Sequence, residues 1–125
     1  MSTADVVPPG FDFTDPETYA SRVPHEEFKA LRQNAPVFWV EQPQGSRDGM
    51  SEESGTGYYA VSKHADVAAV SKNSKDFSSM ENGAIIRFQE GMERDQVELQ
   101  RVMLINQDPP DHTKTRQIIS RGFTP

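Results

Sequence analysis

All 19 acidic residues of the chain lie at or before Asp111, and the stretch that follows carries Lys114, Arg116 and Arg121 with no acid at all. The split falls inside a segment whose limits are written in proline and glycine. Asp108-Pro109-Pro110-Asp111 reads as a helix start, and Gly122 and Pro125 as its stop. Asp108 is the expected N-cap, the two prolines fill first-turn positions that need no amide donor, and Asp111 favours the positive helix end. Along this helix His112, Arg116, Ile119 and Phe123 recur at i, i+4, i+7 and i+11, so a pair of basic groups shares a stripe with two large apolar side chains. The stripe is predicted to face inward. Lys114 and Arg121, seven residues apart on the opposite side, are predicted to face solvent. An inward guanidinium needs an acceptor, because leaving it buried and unpaired costs about 3–5 kcal/mol. Asp111 is placed for capping rather than for Arg116, which leaves two partners open: a carboxylate distant in the chain, or an anionic ligand.

At 125 residues the chain fits one domain, but only 34% of it is hydrophobic and 26% is charged, so the core is predicted to be small. The 8 glycines and 9 prolines imply much turn and loop. No apolar run approaches the roughly 18 residues of a membrane span, and Met1 to Asp5 lacks the basic start and apolar centre of a signal peptide. A soluble cytoplasmic protein is the expectation. The absence of cysteine removes disulfides, zinc–thiolate sites and a cysteine nucleophile from this chain. The three histidines show no metal-ligand spacing, and a sequence pI near 5.0 argues against general nucleic-acid binding.

In chain order, Met1 to Ala20 reads as an irregular segment anchored by Phe11, Phe13 and Tyr19. Phe28, Leu31 and Ala35 have helical spacing between Pro24 and Pro36, with Glu26 and Glu27 in the first turn. Val37–Val40 and Tyr58–Val61 read as the strands of a wide antiparallel hairpin, with Trp39, Tyr58 and Tyr59 as packing residues. Ser62 is the expected cap of a helix that turns Val67 and Val70 inward and ends near Lys72. His25 and His64 sit among polar residues and are assigned no role. Met80 to Gln107 is a long mixed segment with room for a short helix after Val97, the kind of stretch that lines or covers a pocket.

This order of elements, together with Asp108-Pro109-Pro110-Asp111-His112-Thr113-Lys114-Thr115-Arg116, resembles the N-terminal portion of a bacterial cytochrome P450. A finer likeness is to the actinobacterial steroid C26 (C27) monooxygenases, carried by Pro8 to Pro16, Phe77 to Gly83, Arg87-Phe88 and Ile118 to Pro125. The fold this implies is mainly α with one small antiparallel hairpin, residues 1–125 being an incomplete part of a single domain: leading segment, A-helix, first hairpin, B-helix, B–C loop and C-helix. In that family a His and an Arg four residues apart on the C-helix bind the haem propionates, positions held here by His112 and Arg116. The resemblance further implies Ile85, Phe88 and Ile105 as substrate-lining residues, and Lys114 and Arg121 as docking charges for a ferredoxin, itself reduced by a ferredoxin reductase. The cofactor would be haem b, with O₂ inserted into the terminal methyl of a sterol side chain.

A haem-thiolate enzyme requires a Cys ligand. The chain has none, and it stops before any counterpart of the family's oxygen-activating helix or Glu-x-x-Arg pair. The resemblance therefore implies a fragment with no catalytic residue and no metal ligand of its own, inactive by itself. A fatty-acid or terpenoid hydroxylase of the same family is the alternative substrate reading. Outside the family, the basic helix could belong to a non-catalytic anion-binding module or to a protein-interaction domain.

Overall fold

The computed structural model describes residues 7–42, 57–82 and 93–124. The first helix, α1 (Pro16–Ser21), starts because Asp15 caps it: the Asp15 carboxylate accepts the Glu17 amide at 3.0 Å, and Pro16 sits where no donor is missed. This helix replaces the irregular path expected before Ala20. Its cue is Asp15-Pro16-Glu17, a capping residue followed by a proline and an acid in the first turn. Helix α2 (His25–Asn34) runs between Pro24 and Pro36 as expected, and a fork of two hydrogen bonds from Arg22 to Glu27 ties its first turn to the end of α1, one of them 2.9 Å long.

Strands β1 (Val37–Glu41) and β2 (Gly57–Val61) pair antiparallel, with Val37 opposite Val61 and Glu41 opposite Gly57. The chain has room for nothing larger than a hydrogen at position 57. A Cβ there would stand 2.3 Å from the Val40 carbonyl oxygen and 2.7 Å from the Trp39 ring. One face of the hairpin meets the core, while on the other Trp39 and Tyr59 pack edge to face at 4.9 Å in partial contact with solvent.

The core is small, as the composition predicts. Val7, Phe13, Leu31 and Val40 are buried, and Phe11, Phe28, Phe38 and Tyr58 pack around them, with Phe13 stacked on Phe28 at 4.9 Å. Into its edge is set a polar knot. The buried Asp12 carboxylate accepts the Thr14 amide at 2.8 Å, the Thr14 hydroxyl at 2.7 Å and the Tyr58 hydroxyl at 2.9 Å, and Gln42 donates to Thr14 Oγ1 at 3.0 Å. The leading segment is thereby pinned to β2.

Helix α3 (His64–Lys72) follows the hairpin. Ser62 does not cap it. Its hydroxyl donates instead to the Pro36 carbonyl at 3.2 Å, closing the base of the hairpin, and Lys63 holds the cap position. Val70 is half-buried, whereas Val67 is exposed against expectation, since no described element covers that side. Beyond a turn come the short α4 (Ser79–Asn82), then α5 (Arg94–Leu99) and two 3-10 turns, Gln100–Val102 and Leu104–Asn106. Helix α6 (Asp111–Arg121) ends the described chain and packs on the second of these turns. The architecture is thus mainly helical with one two-stranded antiparallel sheet. No helix among the described residues is long and apolar enough to cross a membrane.

Burial and the bond to Asp12 push the Tyr58 phenol well above its ordinary value. A group whose pKa rises on folding stabilises the fold below its unfolded value, near 10, and loses that contribution as pH climbs toward the folded value. Tyr58→Phe should lower stability by about 1.5–3 kcal/mol at neutral pH, the range for a hydrogen bond to a charged group. Urea melts should also show a smaller loss between neutral pH and pH 11 in the variant than in the parent.

Candidate functional site

Two concavities meet at the start of α6. The larger, about 680 Å³, lies between the end of α3 and its following turn on one side and the approach to α6 on the other; Lys72, Phe77, Ile105, Asp108 and His112 are among its walls. The smaller, about 420 Å³, is lined entirely by α6: His112, Thr113, Arg116, Gln117, Ser120 and Arg121. His112, half-buried, belongs to both. The i, i+4 spacing does bring His112 and Arg116 to one cleft.

Their surroundings differ from the sequence expectation. The stripe does not turn into a core, for Ile119 and Arg116 are exposed and Phe123 is 85% exposed. Ile118, Leu99, Val102 and Ile105 are also uncovered, so the end of the described chain presents a broad apolar surface. Among the described elements, α6 packs mainly on the Leu104–Asn106 turn. Arg116 has no ion-pair partner among the described residues, whereas Lys114 pairs loosely with Asp111 at 3.6 Å on the surface. Arg121 lines the Arg116 cleft as well as facing solvent, so it is less cleanly separated from Arg116 than a helical wheel suggests. Ile105 is 63% exposed on the larger cavity. Ile85 and Phe88 lie outside the described residues.

Chemically, the smaller cleft is lined by two guanidiniums, an imidazole, two hydroxyls and an amide. A planar guanidinium fork matches a carboxylate, and one helical turn separates it from the imidazole. The donor set therefore fits a ligand with one or two carboxylates. It contributes no thiolate, because the chain has no cysteine.

The residue that sequence reasoning misplaced is Asp108. It does not cap α6, whose N-cap position is Pro110, preceded by a cis Pro109–Pro110 bond. Its carboxylate reaches across the chain to accept the Ser78 hydroxyl and, at 2.8 Å, the Ser79 amide. Ser78 in turn accepts the Glu81 amide at 3.0 Å. The cue was legible, since Ser78-Ser79-Met80-Glu81 has the spacing of a capping box.

No protein-family model matches the chain. Curated relatives do. The chain is 50% identical over 119 residues to a steroid C26-monooxygenase of Rhodococcus jostii, an alignment that covers 95% of this chain and 24% of that protein. It is 34% identical to a linalool 8-monooxygenase of Pseudomonas putida over 91% of this chain and 27% of that protein. Against a cytochrome P450 of Mycobacterium tuberculosis it is 29% identical, over 93% of this chain and 26% of the other. The chain thus spans about a quarter of the length of the curated relatives it matches.

The hydroxyl of Ser78 and the amides of Ser79 and Met80 hold the Asp108 carboxyl below the usual carboxylate range. A depressed pKa stabilises the fold above the unfolded value, near 4, and that contribution vanishes as pH falls through the folded value. Acid titration followed by circular dichroism should therefore show less stability lost below about pH 4 in Asp108→Asn than in the parent.

Proposed function

The chain is a relative of the cytochrome P450 monooxygenases over about a quarter of their length, and from that premise we propose that it forms the N-terminal part of a haem-dependent monooxygenase, with His112 and Arg116 binding the haem propionates. The observation that carries this reading is the α6 cleft: His112 and Arg116 share it, and among the described residues no carboxylate pairs with Arg116. Two propionates answer the need for an acceptor that the sequence leaves open. The uncovered apolar stripe of α6 supports the same reading, because a helix of this pattern is built to be covered.

The haem, when bound, supplies the iron chemistry that activates O₂ for insertion into an unreactive C–H bond. The residues of this chain bind and orient. Arg116 gives a propionate two parallel N–H donors and stays charged at any working pH, and His112 adds a donor one turn earlier. Ile105, on the larger cavity, is an apolar contact for substrate, with Ile85 and Phe88 proposed alongside it. The iron ligand comes from outside these residues, since there is no cysteine among them. In this reading the protein works in the cytoplasm and takes electrons from a ferredoxin and its reductase, with Lys114 and Arg121 on the docking face. The substrate we propose is a sterol side chain, by analogy with the steroid C26-monooxygenases at 45–50% identity. The linalool 8-monooxygenase supports a terpenoid hydroxylase as the second reading.

Haem content and the carbon monoxide difference spectrum of the intact protein test the assignment. Arg116→Ala should weaken haem retention by roughly tenfold to a hundredfold, the equivalent of one charge-assisted hydrogen bond, with His112→Ala weaker in effect and Arg116→Lys a partial recovery. Full haem occupancy in the double Ala variant would return the cleft to an anion-binding or structural role. Separately, charge reversal at Lys114 and Arg121 should slow reduction by an acidic ferredoxin at low salt, and the difference should shrink as salt screens it. Unchanged kinetics at low salt would remove the docking role.

A further inference from the structure

Asp108 works in two directions at once. Its carboxylate is held by two donors from the start of α4: the Ser78 hydroxyl and the Ser79 amide at 2.8 Å. Its main-chain carbonyl accepts the His112 amide at 2.9 Å, the first hydrogen bond of the α6 turn. Ser78 completes the link by accepting the Glu81 amide, which commits both the proton and a lone pair of its hydroxyl. The nearby Asp76 does not compete, since it is bonded to Asn73 at 2.7 Å. The two ends of this arrangement stand on the walls of one cavity, Ser78 and Ser79 on one side and His112 on the other.

We infer that Asp108 is a positioning residue: its carboxylate grips Ser78 and Ser79 while its backbone carries His112, so that the walls of the 680 Å³ cavity keep a fixed separation and His112 is held between the two concavities. A carboxylate held by two donors, with no cation paired to it among the described residues, is strongly directional, because each hydrogen bond fixes an angle as well as a distance. A salt bridge to a flexible lysine would leave more play. The latch rests on the geometry alone. Its consequence for cofactor binding rests on the reading of His112 as a propionate ligand.

Residue-resolved amide exchange and His112 ring resonances, measured on the full chain, test the latch. In the parent, the Ser79 amide should exchange about tenfold or more slowly than exposed turn amides such as those of Ser74 and Lys75. Asp108→Ala should abolish that protection, and Asp108→Asn, which keeps one acceptor oxygen, should restore part of it at Ser79. Ser78→Ala should weaken it, and the double variant should be no worse than Asp108→Ala alone, because both changes remove one shared bond. Asp111→Ala, a carboxylate on the same helix end outside the latch, should leave Ser79 protected. The His112 ring signals should move in Asp108→Ala and in Ser78→Ala. An unprotected Ser79 in the parent, fully additive losses, or His112 signals indifferent to both variants would overturn the inference. Failure of the haem reading appears elsewhere, as unchanged haem retention in Arg116→Ala and His112→Ala, and leaves the exchange pattern intact.

Discussion

The buried carboxylate of Asp12 is the constraint on which the packed half of the molecule depends. A charge in that position is tolerable only if it is hydrogen-bonded, and Thr14 and Tyr58 donate to its Oδ1 from two parts of the chain far apart in sequence. Satisfying Asp12 forces the leading segment against β2, and that contact sets Phe13 over Phe28 and closes the core above Leu31. With so few fully buried apolar side chains, specificity comes as much from this polar knot as from area removed from water.

The other half is organised by a second carboxylate and has almost no core. From α4 onward, the described elements are short pieces, and both α4 and α6 rest mainly on the Leu104–Asn106 turn. Hydrogen bonds, rather than apolar packing, fix their mutual positions. Such an arrangement leaves the helix that carries His112 and Arg116 open along its length, with its basic groups available to a ligand and its apolar groups to a covering surface.

How much of this was legible follows from the range of each signal. Elements bounded by local chemistry were readable: α2 between two prolines, the hairpin from its β-branched and aromatic runs, and α6 from the residues at its ends. So was the shared cleft of His112 and Arg116, because i, i+4 spacing brings side chains together without help from the rest of the fold. Where the outcome depended on a distant partner, reading failed. Asp108 has the credentials of an N-cap, but Ser78, thirty residues earlier, claims its carboxylate. Ser62 looks like a cap and bonds Pro36 instead, and Val67 and Phe123 have an apolar pattern with nothing described to cover them. The α1 helix is a different failure, since Asp15-Pro16-Glu17 was sufficient local information inside a stretch read as irregular.

The tight fit at Gly57 bears on how the hairpin avoids mispairing. Opposite Glu41, only a hydrogen can face the Val40 carbonyl and the indole of Trp39. If β2 slid by one residue toward its start, the Tyr58 ring would arrive where there is no volume for a methyl group, and its hydroxyl would leave Asp12. The two penalties act at the same step and on the same residue. A position without a side chain thus serves as a stop for strand sliding.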